Sequence, residues 1–155
     1  PVEASKPWDT KGIEGVHRFL RKLWRLFFDD IKGKVWNEDK AGGAELKILH
    51  RTIKKIEEDT ERFSFNTAVS TFMICVNDLA DIKCHKKEIL EKVLILITPY
   101  APHIAAELWN NLGNYGSVLD SIRHYWWRVQ KNIPFLLMVN CVPALIYPLM
   151  PGRKK

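Results

Sequence analysis

Four sets of reactive side chains invite a chemical reading: His103 beside Pro102, the Cys84–His85 pair, the acidic run Glu57 to Glu61, and two clusters of cations. The cations are Arg18, Arg21, Lys22 and Arg25, then Lys47, Arg51, Lys54 and Lys55. A general base needs a nucleophile or a carboxylate partner to act with. None lies near His103 in sequence, so this histidine reads as a partly buried structural residue in the first turn after a kink. Cys84–His85 would supply half of a tetrahedral zinc site, but no second pair follows at ligand spacing. The acids read as a solvated helix face. There is no phosphate-binding glycine loop and no nucleophile motif. The chain is therefore assigned no catalytic residue, no metal site and no cofactor of its own.

The cations carry more information. At 100° per residue Arg18, Arg21, Lys22 and Arg25 fall within an arc of about 100°, with Glu14 the only acid near them. Such a stripe is either a solvated face or a contact for a phosphate backbone, which asks for cations at helical repeat and not for base-reading geometry. The overall charge of +6 does not decide between the two. Six of the 24 basic residues (Arg123, Arg128, Lys131, Arg153, Lys154, Lys155) follow Asp120 and no acid does, so the preceding residues balance. An argument for a polyanionic partner must therefore be local, from stripes on individual helices.

The elements that must position these residues are helical. With 155 residues, 46% hydrophobic and 27% charged, the chain is expected to form one domain with a buried core, followed by a tail. Pro1 to Thr10 reads as an extended lead-in, with Pro7 and Trp8 as a docking point and Asp9 or Thr10 as a cap. Ile13, Val16, Leu20, Leu23, Trp24 and Phe27 define one face of a helix over 11–28. Residues 29–43 are polar and contain glycine, which predicts a loop. A second helix over 44–63 carries Leu46, Leu49, Ile53, Ile56, Thr60 and Phe63 at the 3-4 spacing of a bundle seam. Ser64 or Asn66 caps a third, lined by Phe65, Val69, Phe72, Met73, Val76 and Leu79. After a link at 81–85, Leu90, Val93, Leu94 and Ile97 define a fourth. It runs into a corner made by Pro99 and Pro102, because proline is tolerated in the first turn of a helix and not in its interior. Ile104, Ala105, Leu108, Trp109 and Leu112 then lay a fifth helix back on the bundle, and Gly113 ends it. Pro99, Pro102, His103 and Trp109 are the corner residues. No alternating strand pattern occurs before residue 115, so the fold class is all-α, an antiparallel bundle of about five helices with an irregular C-terminal tail.

Other classes recede. The first thirty residues contain no uninterrupted apolar stretch that would mark a signal peptide. Cys75, Cys84 and Cys141 have no paired spacing, which argues for a reducing, cytoplasmic setting. Pro1 stands where an initiator Met is expected, so the chain reads as a fragment or processed product.

Three strings now support a family. PVEASKPWDTKGIEGVHRFLRKLWRLF, RFSFNTAVSTFMICVNDL and LITPYAPHIAAELWNNLG, in this order and at these separations, resemble the helical anticodon-binding domain of bacterial-type leucyl-tRNA synthetases over about residues 1–120. The third string is shared more loosely with the isoleucyl, valyl and methionyl enzymes. Where the family reads APHIAEELW this chain has Ala106, and no consequence is attached to that. The resemblance implies a cytoplasmic, monomeric class I ligase that uses ATP and Mg to activate leucine and transfers it to leucine tRNA. It implies that the HIGH and KMSKS signatures, the editing domain and a zinc-bearing insertion lie upstream, so that this segment lacks the catalytic site. It also implies that the lead-in and first helix pack on the catalytic domain, and that tRNA contact is sequence-tolerant.

The tail departs from that pattern. Residues 121–155 lose every acid, and Ile133 to Met150 is an uncharged apolar run broken by Pro134, Pro143 and Pro148. Taken literally, this is a poor membrane span, and the alternative reading is a helical interaction module anchored by 133–150 with no nucleic-acid role. A one-base shift of frame lets Tyr125 to Ile133 read LVESPEKYS and Leu137 to Val142 yield NGKLR, which resembles the family's continuation. The tail is therefore expected to be a frameshifted translation, in which Trp126 and Trp127 have no selected role.

Overall fold

The computed structural model describes residues 12–121. The lead-in, its proposed cap and docking point, Cys141, the apolar run 133–150 and the frameshift reading lie outside the described residues.

Five helices form where the apolar periodicity predicts them: α1 Gly12–Arg25, α2 Gly43–Glu61, α3 Phe65–Asp81, α4 Lys87–Ile97 and α5 Pro102–Asn111. A further helical turn begins at 118. α4 is the central element. Ile89, Leu90 and every residue from Val93 to Ile97 are buried, so α4 is apolar around nearly its whole circumference, as a helix enclosed by others must be. α2 packs along α3 and also against α4, α5 lies back on α4, and α1 packs on α3. Leu23, Leu26 and Phe27 plug the exit of α1 into the core formed by Leu49, Ile56, Phe72, Leu79, Leu94 and Leu108.

Residues 29–43 are not wholly a loop. Phe28–Asp29 (β1) and Gly33–Lys34 (β2) form a two-residue antiparallel hairpin. Its turn is fixed by the Asp29 carboxylate, which accepts the N–H groups of Lys32 and Ile31 at 2.9 Å each. These bonds hold its carboxyl below the usual range. Strands this short leave no alternation for a sequence pattern to detect.

The link between α3 and α4 ties four elements together. His85 donates from Nδ1 to the Leu26 carbonyl at 2.8 Å, because a carbonyl only accepts. Asn37 N–H donates to His85 O, and Lys87 N–H donates to Asn37 O. Lys86 Nζ meets Glu45 Oε1 at 2.7 Å, which lowers the Glu45 pKa and raises that of Lys86. Lys34 Nζ sits 3.3 Å above the Trp36 ring and Lys87 Nζ 5.4 Å from it, a cation–π arrangement that seats the hairpin on α4.

At the corner Thr98 is buried and donates from Oγ1 to Leu94 O at 2.6 Å, Pro102 takes the first helical position of α5, and Trp109 is 7% exposed. Tyr100, which periodicity does not single out, stacks edge-on against Phe72 and Phe65. His103 does not fit its expectation. It lies in the first turn of α5 as expected, but it is exposed.

Two further expectations for α2 and α3 need correction. The buried stripe of α2 is Leu49, Thr52, Ile56 and Asp59, while Phe63 is half exposed. Thr52 is tolerated because its hydroxyl donates to Ile48 O. Asp59 is tolerated because Lys55 Nζ meets its Oδ1 at 2.6 Å. The run Glu57 to Glu61 is therefore not a simple solvated face. Ser64 does take the N-cap position of α3, but its side chain makes no cap bond.

Burial pushes the Glu57 carboxyl above its usual range, and the charge of Glu61 adds to this. A carboxyl with a raised folded-state pKa binds an extra proton in the folded state, so stability falls as pH rises through the window above the unfolded pKa. Glu57→Gln is expected to raise the thermal midpoint at pH 7. The gain should vanish below the ordinary carboxylate range, where both states are protonated; melts across pH check it.

α2, α3 and α5 end in the same way, with paired backbone bonds closing on a left-handed residue. Ser64 N–H donates to Asp59 O around Phe63 (φ 54°), and Cys84 N–H donates to Leu79 O around Lys83 (φ 52°). At Gly113 (φ 79°) the sequence supplies the residue that suits this backbone, but at the other two it does not. The left-handed region costs a non-glycine residue roughly 1–2 kcal/mol. Lys83→Gly, at an exposed position, is expected to stabilise the bundle by about 1 kcal/mol, read as a higher urea midpoint at unchanged m-value.

Candidate nucleic-acid interface

On α1 the four cations are all exposed. On α2 Lys47, Arg51, Lys54 and Lys55 are also exposed and fall within about 100° of arc. α3 brings the two stripes together. Lys22 Nζ donates to Asn77 Oδ1 at 2.6 Å, and Arg51 forms an ion pair with Asp78. Asn77 and Asp78 are consecutive, so their side chains leave α3 about 100° apart. α1 therefore flanks one edge of the exposed stripe of α3 and α2 flanks the other. The stripe itself is Asn66, Thr67, Ser70, Ile74, Asn77 and Asp81, uncharged until its last residue.

The cations are not equivalent. Arg18, Arg21, Lys47 and Lys54 have no ionic or hydrogen-bonding side-chain partner among the described residues. Arg25 stands 3.6 Å from Asp30, both largely exposed, an arrangement worth at most about 1 kcal/mol and easily exchanged for another anion. The partner of Lys22, Asn77, carries no charge to offset it. Arg51 is neutralised by Asp78. Lys55 is committed to buried Asp59, which removes it from the set of free cations. On the α2 side, Lys47, Ile48, Arg51, Asp78, Asp81 and Ile82 line an open groove of about 350 Å³. The strongest positive field of the face therefore lies along α1 and the outer row of α2, and weakens in the groove between α2 and α3.

Sequence reasoning found the cations and missed the strip between them. The signal was present: Asn66, Ser70, Asn77 and Asp81 are the complement of α3's apolar stripe at the same helical period. What periodicity could not show was that α1 and α2 flank that strip.

Cys75 and Cys84 are both buried, and desolvation pushes both thiols up, away from the reactive thiolate. Among the described residues no three His, Cys, Asp or Glu side chains converge to hold a metal ion. Nor is any described helix long and apolar enough to cross a membrane. The run 133–150, on which the membrane alternative rests, lies outside the described residues.

Comparison with known proteins identifies the family. The family described as the anticodon-binding domain of tRNA ligase matches residues 45–133, more than half of the chain. Among curated relatives, the leucine–tRNA ligase of Flavobacterium johnsoniae is 58% identical over 120 residues, 77% of this chain and 12% of that protein. That of Bacteroides thetaiotaomicron is 54% identical over 121 residues, 78% of this chain and 13% of that protein. That of Cytophaga hutchinsonii is 49% identical over 143 residues, 90% of this chain and 16% of that protein. The chain thus spans less than a fifth of the length of these relatives. By fold and by family match, it belongs to the anticodon-binding domains of tRNA ligases.

Proposed function

We propose that this bundle is the tRNA-binding domain of a leucine–tRNA ligase, and that it contributes to ATP-dependent leucylation by holding leucine tRNA through the face made by α1, α3 and α2. The observation that carries the reading is the pair of contacts, Lys22 to Asn77 and Arg51 to Asp78, that sets two cationic stripes on either side of one helix. Two separated rows of exposed cations match the phosphate backbone, whose spacing repeats without regard to sequence. In this reading leucine activation with ATP and Mg belongs to other segments of a cytoplasmic, monomeric parent enzyme, against whose catalytic domain the half-exposed Ile13 and Val16 of α1 would pack.

The test is to titrate the chain with leucine-accepting tRNA at several salt concentrations. Binding should weaken linearly in log–log form, losing a little under one unit of slope for each phosphate contacted. Binding that is absent at low salt, or that does not respond to salt, would contradict the proposal.

A further inference from the structure

Resting on the tRNA-binding reading, we infer that Asp78 and Asp81 set the selectivity of this face: their carboxylates cancel the charge of the α2–α3 groove and so keep unfolded, single-stranded polyanions from occupying it in place of folded tRNA. The groove has the form that such strands use. Proteins that hold single strands without regard to sequence do so with a positively charged groove that tracks the backbone. An open groove of about 350 Å³ lies between α2 and α3, with Lys47 and Arg51 in its lining.

What the groove lacks is net charge. Its charged lining residues are Lys47 and Arg51 against Asp78 and Asp81, so the two signs balance. Arg18, Arg21, Lys22 and Lys54 stand outside it. Asp78 is paired with Arg51 and occupies guanidinium N–H groups that a phosphate would otherwise take. A phosphate entering the groove would have to break that pair and would also approach a second carboxylate, that of Asp81.

Stability does not account for Asp81. It is exposed, and its side chain has no ionic or hydrogen-bonding partner among the described residues. It is also the last residue of α3, whose final turn contains no base, and a helix C-terminus favours cations and disfavours carboxylates. Glu14 of α1 and Glu58 of α2 also stand near cations, but neither lines the groove. A charge that costs the helix end and gains no contact there fits discrimination by repulsion, in which unfavourable contacts with the wrong ligand supply part of the specificity. Folded tRNA carries its phosphates on rigid arms that rest on the exposed ridges of α1 and α2. A flexible strand reaches the additional cations only by entering the groove, where the carboxylates meet it.

The experiment titrates the full chain with two probes at one low salt concentration: leucine-accepting tRNA, and a polyuridine strand of the same length, which has the same backbone and no fold. Asp81→Asn should bind polyuridine about fivefold more tightly, with less than about a twofold change for tRNA and no fall in the thermal midpoint. Adding Asp78→Asn, which frees Arg51, should steepen the polyuridine salt slope by about 0.7 units. Exposed His17 and His50 beside the cations are common to the unmodified chain and the variants, so the comparison does not turn on them. Polyuridine affinity that is unchanged or reduced in Asp81→Asn, or an equal gain for both probes, overturns the inference and leaves the tRNA-binding reading standing. An unmodified chain that fails to bind tRNA at low salt overturns that reading and the inference with it.

Discussion

Replacing Phe72 with Ala is expected to lower the unfolding free energy by about 3–5 kcal/mol, a large share of the about 5–15 kcal/mol that holds an ordinary domain together. Phe72 is 1% exposed, and its ring meets Tyr100 edge-on at 5.2 Å between centroids. Tyr100 belongs to the corner between α4 and α5, where its N–H donates to Ile97 O. Phe72 is therefore where α3, which carries the strip and receives both cationic helices, meets the turn that follows the central helix. Removing the ring leaves a cavity that neither α4 nor the proline-fixed corner is free to fill by moving. Urea denaturation followed by circular dichroism measures the loss, with Thr67→Ala, at an exposed position of the same helix, as the comparison. A loss below about 1 kcal/mol, the size typical of an ordinary substitution, would mean that α3 is not anchored at the corner.

The second large effect concerns binding. Arg18, Arg21 and Arg25 changed together to Gln should flatten the salt dependence of tRNA binding by about two to three units of slope, and weaken binding at low salt by roughly ten- to a hundredfold. All three are exposed. Gln is nearly as good a helix former as Arg, and the one ion pair lost, Arg25 with Asp30, contributes little. The variant should therefore fold as the unmodified chain does. The parallel change of Lys55 to Gln should leave the salt slope alone, because its charge already serves Asp59. It should instead destabilise the bundle, since it strands a buried carboxylate. A triple variant with an unchanged slope would remove α1 from the interface.

Much of this was legible in the chain because helices announce themselves twice, by period and by punctuation. The five apolar stripes located the helices to within a few residues. Pro102 and Gly113 fixed the two ends of α5, where a missing N–H and a left-handed backbone leave few other choices. The same logic explains the misses. Phe63 and Lys83 occupy left-handed positions that usually take glycine, so those helix ends carried no compositional mark. Thr52 is polar and carries no mark of burial, and Asp59 belongs to an acidic run that reads as a solvated face. They are buried because the Thr52 hydroxyl reaches Ile48 O and Lys55 meets one carboxylate oxygen of Asp59, and the 3-4 repeat of Leu46, Leu49, Ile53 and Ile56 fits a stripe turned partly away from the true one. His103, in a first turn beside proline, gave no sign of which side of α5 it would occupy.

For the site, the cations were readable one helix at a time, since a stripe is a local property. Their convergence was not. It depends on α1 and α2 both choosing α3 as neighbour, a consequence of where Leu23, Phe27, Leu49 and Ile56 find their core. The neutral strip on α3 acquires meaning only once the cations stand on both sides of it, and Lys55 loses its candidacy only when its acidic partner is found inside.

The claim that the α1–α3–α2 face holds tRNA is tested most directly by footprinting lysines. The chain is acetylated with a water-soluble reagent in the presence and absence of leucine-accepting tRNA, and modification at each lysine is read by mass spectrometry. Lys22, Lys47 and Lys54 are expected to be protected by the tRNA, while Lys32 and Lys34 on the hairpin and Lys92 on α4 react equally in both samples. Protection of the hairpin and α4 lysines with none at Lys22, Lys47 and Lys54 would contradict the assignment and move the interface to the hairpin and α4.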